Sequence, residues 1–183
     1  MTERNEIKDP DFEMLFTPKQ IDQRISELAQ EISSDYESDS NTPLVLLGVL
    51  KGAIPFSVNL AQKINHPNLL VDYMGVSSYN GDTTSSREPK ITLDAKIPMG
   101  KKNIIIVEDI VDTGYSIATL INIIKAKNPK SLRICTLLSK PDKREIEVPI
   151  DYLGFTIPDL WVQGYGLDTN EVGRNWSYIA YRK

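Results

Sequence analysis

The pattern of apolar positions near the start of the chain predicts a helix. Ile21, Ile25, Leu28 and Ile32 recur at the spacing of one helical face. The stretch "TPKQ" at 17–20 precedes them and supplies a capping threonine, a proline for the first turn and a glutamine that completes a capping box. We therefore predict that an amphipathic helix begins here.

Four further apolar runs predict strands, and two helix-type segments at 53–64 and 116–127 lie between them. The first run does not alternate, so we expect that strand to be buried on both faces. The polar residues 77–90 predict a mobile functional loop or a hairpin tip, and the last forty residues read as short strands separated by Pro and Gly. The four runs are "LVLLGVL" at 44–50, "LLVDYMGV" at 69–76, "KNIIIV" at 102–107 and "SLRICTLL" at 131–138.

This order of elements predicts an α/β fold with a mainly parallel sheet. In such sheets, ligands bind at the carboxyl ends of the strands. Residues 50–52, residues 108–116 and Lys140 all follow or end predicted strands. We therefore expect them to lie on one edge of the sheet.

Composition and charge narrow the possible partners. The 183 residues are 40% hydrophobic and 25% charged, with a net charge of −4, as expected for a soluble globular protein. The acidic balance argues against nucleic acid or an anionic membrane as the main partner. No apolar run is long enough to span a bilayer, and "MTERNEIKDPDFE" has no apolar segment of the secretory type. We expect a cytoplasmic protein.

The single cysteine and the single histidine exclude several kinds of chemistry. Cys135 has no partner for an internal disulfide, and one Cys with one His makes no zinc site. We predict a buried thiol for Cys135 and a surface or capping role for His66. Catalysis by a Ser-His or Cys-His pair is therefore not expected.

The stretch "VEDIVDTGYS" at 107–116 contains a turn suited to a phosphate group. Thr113, Gly114 and Ser116 stand where the chain turns from a strand into a helix. Hydroxyl groups, backbone N–H groups and the positive end of the helix dipole hold a phosphate without any lysine. A lone D-T-G would more often be a plain helix cap, but the apolar strand and acid pair before it favour a site.

The acids in the same stretch need a different neighbour, because carboxylates repel phosphate. Glu108 and Asp109 suit a ribose diol, which donates two hydrogen bonds, or a magnesium ion. Asp112 is then left near the anomeric carbon of a ribose 5-phosphate. A magnesium-dependent NTPase is the alternative, but the sequence has no G-x-x-x-x-G-K-[ST] loop, and "GYG" at 164–166 is no dinucleotide fingerprint.

The stretch resembles the phosphoribosyl-diphosphate signature of type I phosphoribosyltransferases. Four other segments resemble the hypoxanthine-guanine branch of that family, and the resemblance runs from about residue 44 to residue 174. These segments are "LKG" at 50–52, "SSYNGDTTSS" at 77–86, "LLSKP" at 137–141 and "GFTIPDLWVQGYGLDTNEVGR" at 154–174.

The resemblance implies a parallel twisted sheet flanked by helices, in one domain spanning 1–183. The core would cover about 40–150, and a small hood would form mainly from 151–183 with part of the N-terminal arm. The implied reaction displaces pyrophosphate from phosphoribosyl diphosphate by N9 of hypoxanthine or guanine, with Mg²⁺ as cofactor. Asp112 would be the acid–base group at purine N7. The phosphoribosyl group would be held by Glu108, Asp109, Asp112, Thr113, Gly114, Tyr115 and Ser116.

The resemblance assigns the other substrate parts to residues outside this stretch. Lys140 would donate to the 6-oxo group, and Trp161 would stack on the purine. A cis peptide bond is implied between Leu50 and Lys51, and Thr169 and Gly173 depart from the residues common in the family. The implied pyrophosphate ligands are Lys51, Gly52, Ser78, Tyr79 and Arg174; the implied purine ligands are Lys140, Trp161, Val162 and Asp168; the implied metal ligands are Glu108, Asp109 and Asp168.

Two rival functions share the same motifs. One is a relative that prefers xanthine. The other is a regulator that keeps the fold and binds RNA or DNA, but this chain is acidic and keeps Asp112, Lys140 and Asp168. By resemblance we expect small-molecule substrates, no nucleic acid or membrane partner, and a homodimer or homotetramer.

Overall fold

A computed structural model describes residues 7, 9–77 and 89–183 of the chain. Nine strands and three α-helices lie in this part. The strands are β1 (Phe12–Phe16), β2 (Leu44–Leu50), β3 (Leu69–Ser77), β4 (Lys90–Leu93), β5 (Asn103–Val111), β6 (Ser131–Ser139), β7 (Tyr152–Thr156), β8 (Val162–Gln163) and β9 (Ile179–Arg182). The helices are α1 (Pro18–Tyr36), α2 (Ile54–Lys63) and α3 (Tyr115–Ala126).

The larger sheet has six strands in the order β4-β3-β2-β5-β6-β7. Every neighbouring pair is parallel except β3 and β4, which pair antiparallel. This confirms the predicted α/β fold with a mainly parallel sheet. The antiparallel pair shows that the polar segment 77–90 joins two hairpin strands, and its residues 78–88 lie outside the described part.

Helices cover both faces of this sheet. Along β5, Ile105 and Val107 belong to the apolar core that includes α1 and α2. Ile104 and Ile106 belong to the core that includes α3. Successive side chains of a strand point to opposite faces, so a run without alternation is what burial on both faces requires.

The start of α1 is a complete capping box. The Thr17 hydroxyl accepts from the Gln20 backbone N–H, and the Gln20 side chain accepts from the Thr17 N–H at 2.9 Å. The apolar face with Ile21 and Ile25 is fully buried against the sheet. The predicted helix start is therefore confirmed.

The second sheet is small and joins distant parts of the chain in the order β1-β9-β8. It packs beside the larger sheet, where Phe16 stacks on Phe155 of β7 with ring centroids 4.1 Å apart. Within 151–183, β7 pairs with β6 in the larger sheet, whereas β8 and β9 join β1 in the smaller sheet. None of the helices in the described ranges is both long enough and apolar enough to cross a membrane.

The single cysteine and the single histidine of the chain both lie in buried positions away from the cavity. Cys135 is buried in the core, as predicted, and burial raises the pKa of its thiol. The Nδ1 atom of His66 accepts from the Asn68 backbone N–H at 3.2 Å, within the turn before β3. Of the two predicted roles, the surface position is wrong, because His66 is only 9% exposed.

Candidate active site

One cavity of about 830 Å³ opens at the carboxyl edge of the larger sheet. The segments that follow β2 and β5 line it, together with part of the chain between β8 and β9. Eleven of the predicted site residues lie on its wall: Lys51, Gly52, Glu108, Asp109, Asp112, Thr113, Gly114, Ser116, Trp161, Asp168 and Arg174. The fold therefore brings together residues that are more than 120 positions apart in the sequence.

The start of α3 faces this cavity without a side-chain cap. Gly114 is the N-cap residue and has φ +95°, a conformation that favours glycine. Its side-chain position is blocked as well, because a Cβ there would collide with the Ile146 carbonyl oxygen. Unlike α1, this helix keeps its first backbone N–H groups free of a side-chain cap. Such N–H groups are the donors with which a helix start binds phosphate.

Glu108, which is buried, and Asp109, which is partly buried, lie inside the strand and not at its end. The strand β5 continues to Val111, which pairs with Ser139 of β6, so the predicted strand end at the two acids is wrong. Burial, and then the charge of Asp109, raises the pKa of Glu108 well above its usual range. Burial also raises the pKa of Asp109. The protein thus holds two adjacent carboxyl groups that lack full compensation for their charge.

Asp112 presents an unused acceptor at the cavity wall. Its Oδ1 atom is buried and has no hydrogen-bond partner among the described residues. Its Oδ2 atom lies 3.9 Å from the Lys140 ammonium, which is also 3.6 Å from Asp159. Both separations exceed a direct hydrogen bond. A buried acceptor without a donor is costly, so this geometry suits a ligand that brings an N–H group.

The loop after β2 approaches the acids through a glycine. The peptide bond between Leu50 and Lys51 is cis, as predicted. A Cβ on Gly52 would collide with the Asp109 carboxylate, so only glycine allows this approach. The Lys51 side chain is exposed and pairs with Glu171 at 3.1 Å.

The residue just before β8 supplies an aromatic surface to the site. Trp161 is 60% exposed at the cavity, and its indole N–H donates to the Thr169 hydroxyl at 2.8 Å. Val162 is buried and begins β8. An exposed indole held by one hydrogen bond has a face available for stacking on a flat ligand.

Asp168 and Arg174 form an ion pair on the same wall. The guanidinium Nη2 lies 2.8 Å from Asp168 and 3.2 Å from Glu171. Within the described ranges, no three His, Cys, Asp or Glu side chains converge as a metal cluster. Asp168 therefore does not join Glu108 and Asp109 in one group of three ligands.

The remaining predicted residues lie at the margin of the cavity or outside the described part. Tyr115 begins α3 and donates its hydroxyl to Glu145 at 3.2 Å. Lys140 is 5% exposed and reaches the site through Asp112. Ser78 and Tyr79 lie outside the described residues.

The structure adds three charged residues that sequence reasoning missed. Asp159 pairs with Lys140, Glu171 joins Lys51 to Arg174, and Arg144 donates to the backbone beside Asp112. Asp159 and Glu171 lie inside the resembling segment 154–174, at positions to which the resemblance assigns no role. Arg144 lies three residues after the resembling segment 137–141, where no motif predicts a role.

The mainly parallel sheet, flanked by helices and superposing on phosphoribosyltransferase structures, is a type I phosphoribosyltransferase fold. Residues 12–170 match the family model of the phosphoribosyl transferase domain. The chain belongs to the phosphoribosyltransferase family, which is a family of transferases.

Named relatives cover nearly the whole chain. The hypoxanthine-guanine phosphoribosyltransferase of Dictyostelium discoideum is 39% identical, over 93% of this chain and 95% of its own. That of Mycobacterium avium is 42% identical, over 91% and 83%. The crystal structure of a hypoxanthine phosphoribosyltransferase from Staphylococcus aureus superposes with a TM-score of 0.90 at 37% identity, covering 99% of this chain and 97% of that one.

Proposed function

We propose that this protein is a purine salvage enzyme that transfers the 5-phosphoribosyl group of phosphoribosyl diphosphate to N9 of hypoxanthine and guanine. The bond from C1′ to the pyrophosphate oxygen breaks, and the bond from C1′ to N9 forms. The products are IMP or GMP and pyrophosphate. The names of the relatives support the choice of bases.

The observation that carries the proposal is the unpartnered carboxylate oxygen of Asp112. Asp112 lies just before the uncapped start of α3, and its other oxygen faces the Lys140 ammonium. A purine N7–H would supply the missing donor and leave a proton on or shared with the carboxylate while N9 attacks. A positioned acid–base group of this kind contributes roughly 10²–10⁴-fold to a rate.

The sugar phosphate fits the adjoining wall. The uncapped N–H groups of α3, with Thr113 and Ser116, would hold the 5′-phosphate. The ribose hydroxyls would donate to Glu108 and Asp109, whose raised pKa values reflect burial without enough donors. These contacts fix C1′ near Asp112, and such positioning is a large part of catalysis.

The base would be recognised from two sides. Lys140 has no direct hydrogen bond to either acid near it, so its ammonium can donate to a 6-oxo group. Adenine has a 6-amino group, which cannot accept from an ammonium, and such mismatches discriminate strongly. Trp161 would cover the ring face, and backbone groups at Val162 and Asp168 would contact its edge.

The chemistry of the acids fits Mg²⁺, which takes oxygen ligands. Mg²⁺ is usually held by one or two carboxylates, with water and substrate phosphates completing its shell. Glu108 with Asp109 would serve the ribose side, and Asp168 the pyrophosphate side, near Lys51 and Arg174. When bound, the ion would neutralise charge on the pyrophosphate oxygens.

The direct test is pyrophosphate release from phosphoribosyl diphosphate and Mg²⁺ with each of four bases. We expect turnover with hypoxanthine and guanine, and turnover at least about 100-fold lower with adenine. Turnover mainly with xanthine would overturn the base assignment. No turnover with any base would overturn the proposed reaction, and equal rates with and without a chelator would overturn the metal assignment.

A further inference from the structure

Arg144 donates hydrogen bonds to the backbone of the turn that carries Asp112. Its Nε atom donates to the Asp112 carbonyl at 3.0 Å, and its Nη2 atom donates to the Val111 carbonyl at 3.2 Å. Nη2 also donates to the Ser139 hydroxyl at 2.9 Å. The side chain is partly buried, and all three acceptors are neutral. The Arg144 guanidinium therefore holds the backbone at residues 111 and 112 in place and does not form an ion pair there.

The residues after Arg144 support the next part of the same turn. The backbone N–H groups of Glu145 and Ile146 both donate to the Thr113 carbonyl at 3.0 Å. The Ile146 carbonyl closes the space beside Gly114, where a side chain would collide with it. Residues 144–146, which we call the bracing segment, therefore contact the backbone of residues 111–114 throughout.

Arg144 also connects this turn to the end of β6. Its acceptor Ser139 is the residue before Lys140, whose backbone N–H donates to the Val111 carbonyl at 3.0 Å. The guanidinium thus bonds to both strand ends that carry polar groups of the site. These three bonds use two different guanidinium nitrogens, whereas the three N–H donors of a lysine all sit on one nitrogen at the end of its chain.

We propose that Arg144 is a positioning residue for phosphoribosyl transfer, which sets the Asp112 carboxylate and the phosphate turn relative to Lys140. The inference rests on the proposed function but assigns a role outside the cavity wall. Displacement of a reacting group by about 1 Å can cost on the order of 100-fold in rate. Loss of the guanidinium should therefore act on catalysis more than on folding.

The test compares Arg144→Met with Arg133→Met. Arg133 is a matched control, because it is also a partly buried arginine, but it lies near the amino end of β6 and pairs with Asp35 and Tyr152, away from the site. We expect Arg144→Met to lower kcat with hypoxanthine about 10–100-fold and to raise the KM for phosphoribosyl diphosphate. Arg133→Met should lower Tm and leave both constants within about twofold, with kcat corrected for the folded fraction.

Two further measurements separate positioning from general damage. Arg144→Lys should recover only part of kcat, and added guanidinium ion at low millimolar concentration should raise the activity of Arg144→Ala but not of Arg133→Ala. Kinetic constants of Arg144→Met equal to those of Arg133→Met would overturn the inference while leaving the proposed function intact. An inactive wild-type protein in the same assay would overturn both.

Discussion

The two ends of the larger sheet treat acidic side chains in opposite ways. At the amino ends of β5 and β6, Asp39 accepts from Lys130, Asn103 and Thr42, and these bonds lower its pKa below the usual range. At the carboxyl ends, burial raises the pKa of Glu108, and Asp112 keeps one oxygen without a partner in the described part of the chain.

We infer from the difference that Asp39 serves the fold, whereas the proposed ligand would supply the donors that Glu108 and Asp112 lack. Asp39 has donors from the protein itself, so its charge stabilises the folded state. Glu108 and Asp112 have too few donors, and a protein keeps such groups at a cost in stability where a ligand will complete them.

The largest effect is expected from Asp112→Asn, compared with Asp39→Asn. Loss of the acid–base group should lower kcat with hypoxanthine about 10²–10⁴-fold, with a modest loss of phosphoribosyl-diphosphate binding. Asp39→Asn should lower Tm at neutral pH and leave kcat unchanged, because its partners lie at the other end of the sheet. Steady-state kinetics and thermal unfolding of both variants give the answer, and unchanged turnover in Asp112→Asn would contradict the acid–base role.

Lys140→Ala should change base selection. Loss of the ammonium is expected to lower kcat/KM for hypoxanthine about 10–100-fold and to narrow the preference over adenine. Lys143→Ala is the matched control, because Lys143 also pairs with Asp159, at 3.1 Å, but is exposed. The hypoxanthine-to-adenine ratio of kcat/KM measures the effect, and equal ratios in the two variants would show that Lys140 does not read the base.

Glu108→Gln should make the ligand-free protein more stable than the wild type at high pH. Because the folded-state pKa of Glu108 is raised, the neutral form favours folding below the unfolded-state pKa of about 4.3, and this contribution is lost as the pH rises through the folded-state pKa. Glutamine does not titrate and avoids the loss. We expect Tm to exceed the wild-type value by on the order of 2–4 °C at pH 8, as about 1 kcal/mol gives for a chain of this size.

The two proteins should have nearly equal Tm values near pH 4, and the variant should be impaired in catalysis. A Tm difference that does not depend on pH would contradict the titration of Glu108. Asp39→Asn should change Tm in the opposite direction. Because the folded-state pKa of Asp39 is lowered, its charge stabilises the wild-type fold above the unfolded-state pKa, and this contribution is lost in acid.

The smallest effect concerns the hydrogen bond from Trp161 to Thr169. Thr169→Val removes the acceptor with little change in shape and should raise the KM for hypoxanthine about 2–10-fold, the range of one net hydrogen bond. Thr169→Ser should stay near wild type. Fluorescence in a Trp176→Phe background isolates Trp161, whose signal should change on IMP binding. A silent signal at saturating IMP would count against stacking.

The fold was largely predictable because the strands of the larger sheet are apolar runs that stand out in the sequence. Burial on both faces demands apolar runs such as residues 44–50, and the cap at Thr17 is a local signal. The small sheet was not predictable in the same way, since the pairing of β1 with β9 joins residues about 170 positions apart. Short strands of this kind are specified by their partners and not by their own pattern.

In the candidate site too, some features are visible in the local sequence, and others depend on contacts between distant residues. The turn at 112–116 combines a glycine, hydroxyl groups and a helix start within a few residues, so the proposed phosphate site could be predicted from this stretch alone. The role of Arg144 depends on carbonyl groups 32 and 33 positions earlier, which carry no sequence signal. Backbone acceptors exist in every residue, and only the fold decides which of them a guanidinium meets.

Two glycines limit how this pocket could be re-engineered. A methyl group on Gly52 would collide with Asp109, and one on Gly166 would collide with the Gly52 carbonyl oxygen. The Gly52 backbone is thus packed against the Asp109 side chain on one side and the Gly166 backbone on the other, so a larger residue at either glycine would have to move a neighbouring segment. A designer who wants this scaffold to accept a larger nucleobase should therefore vary the exposed Trp161 and its partner Thr169, where side chains alone set the width.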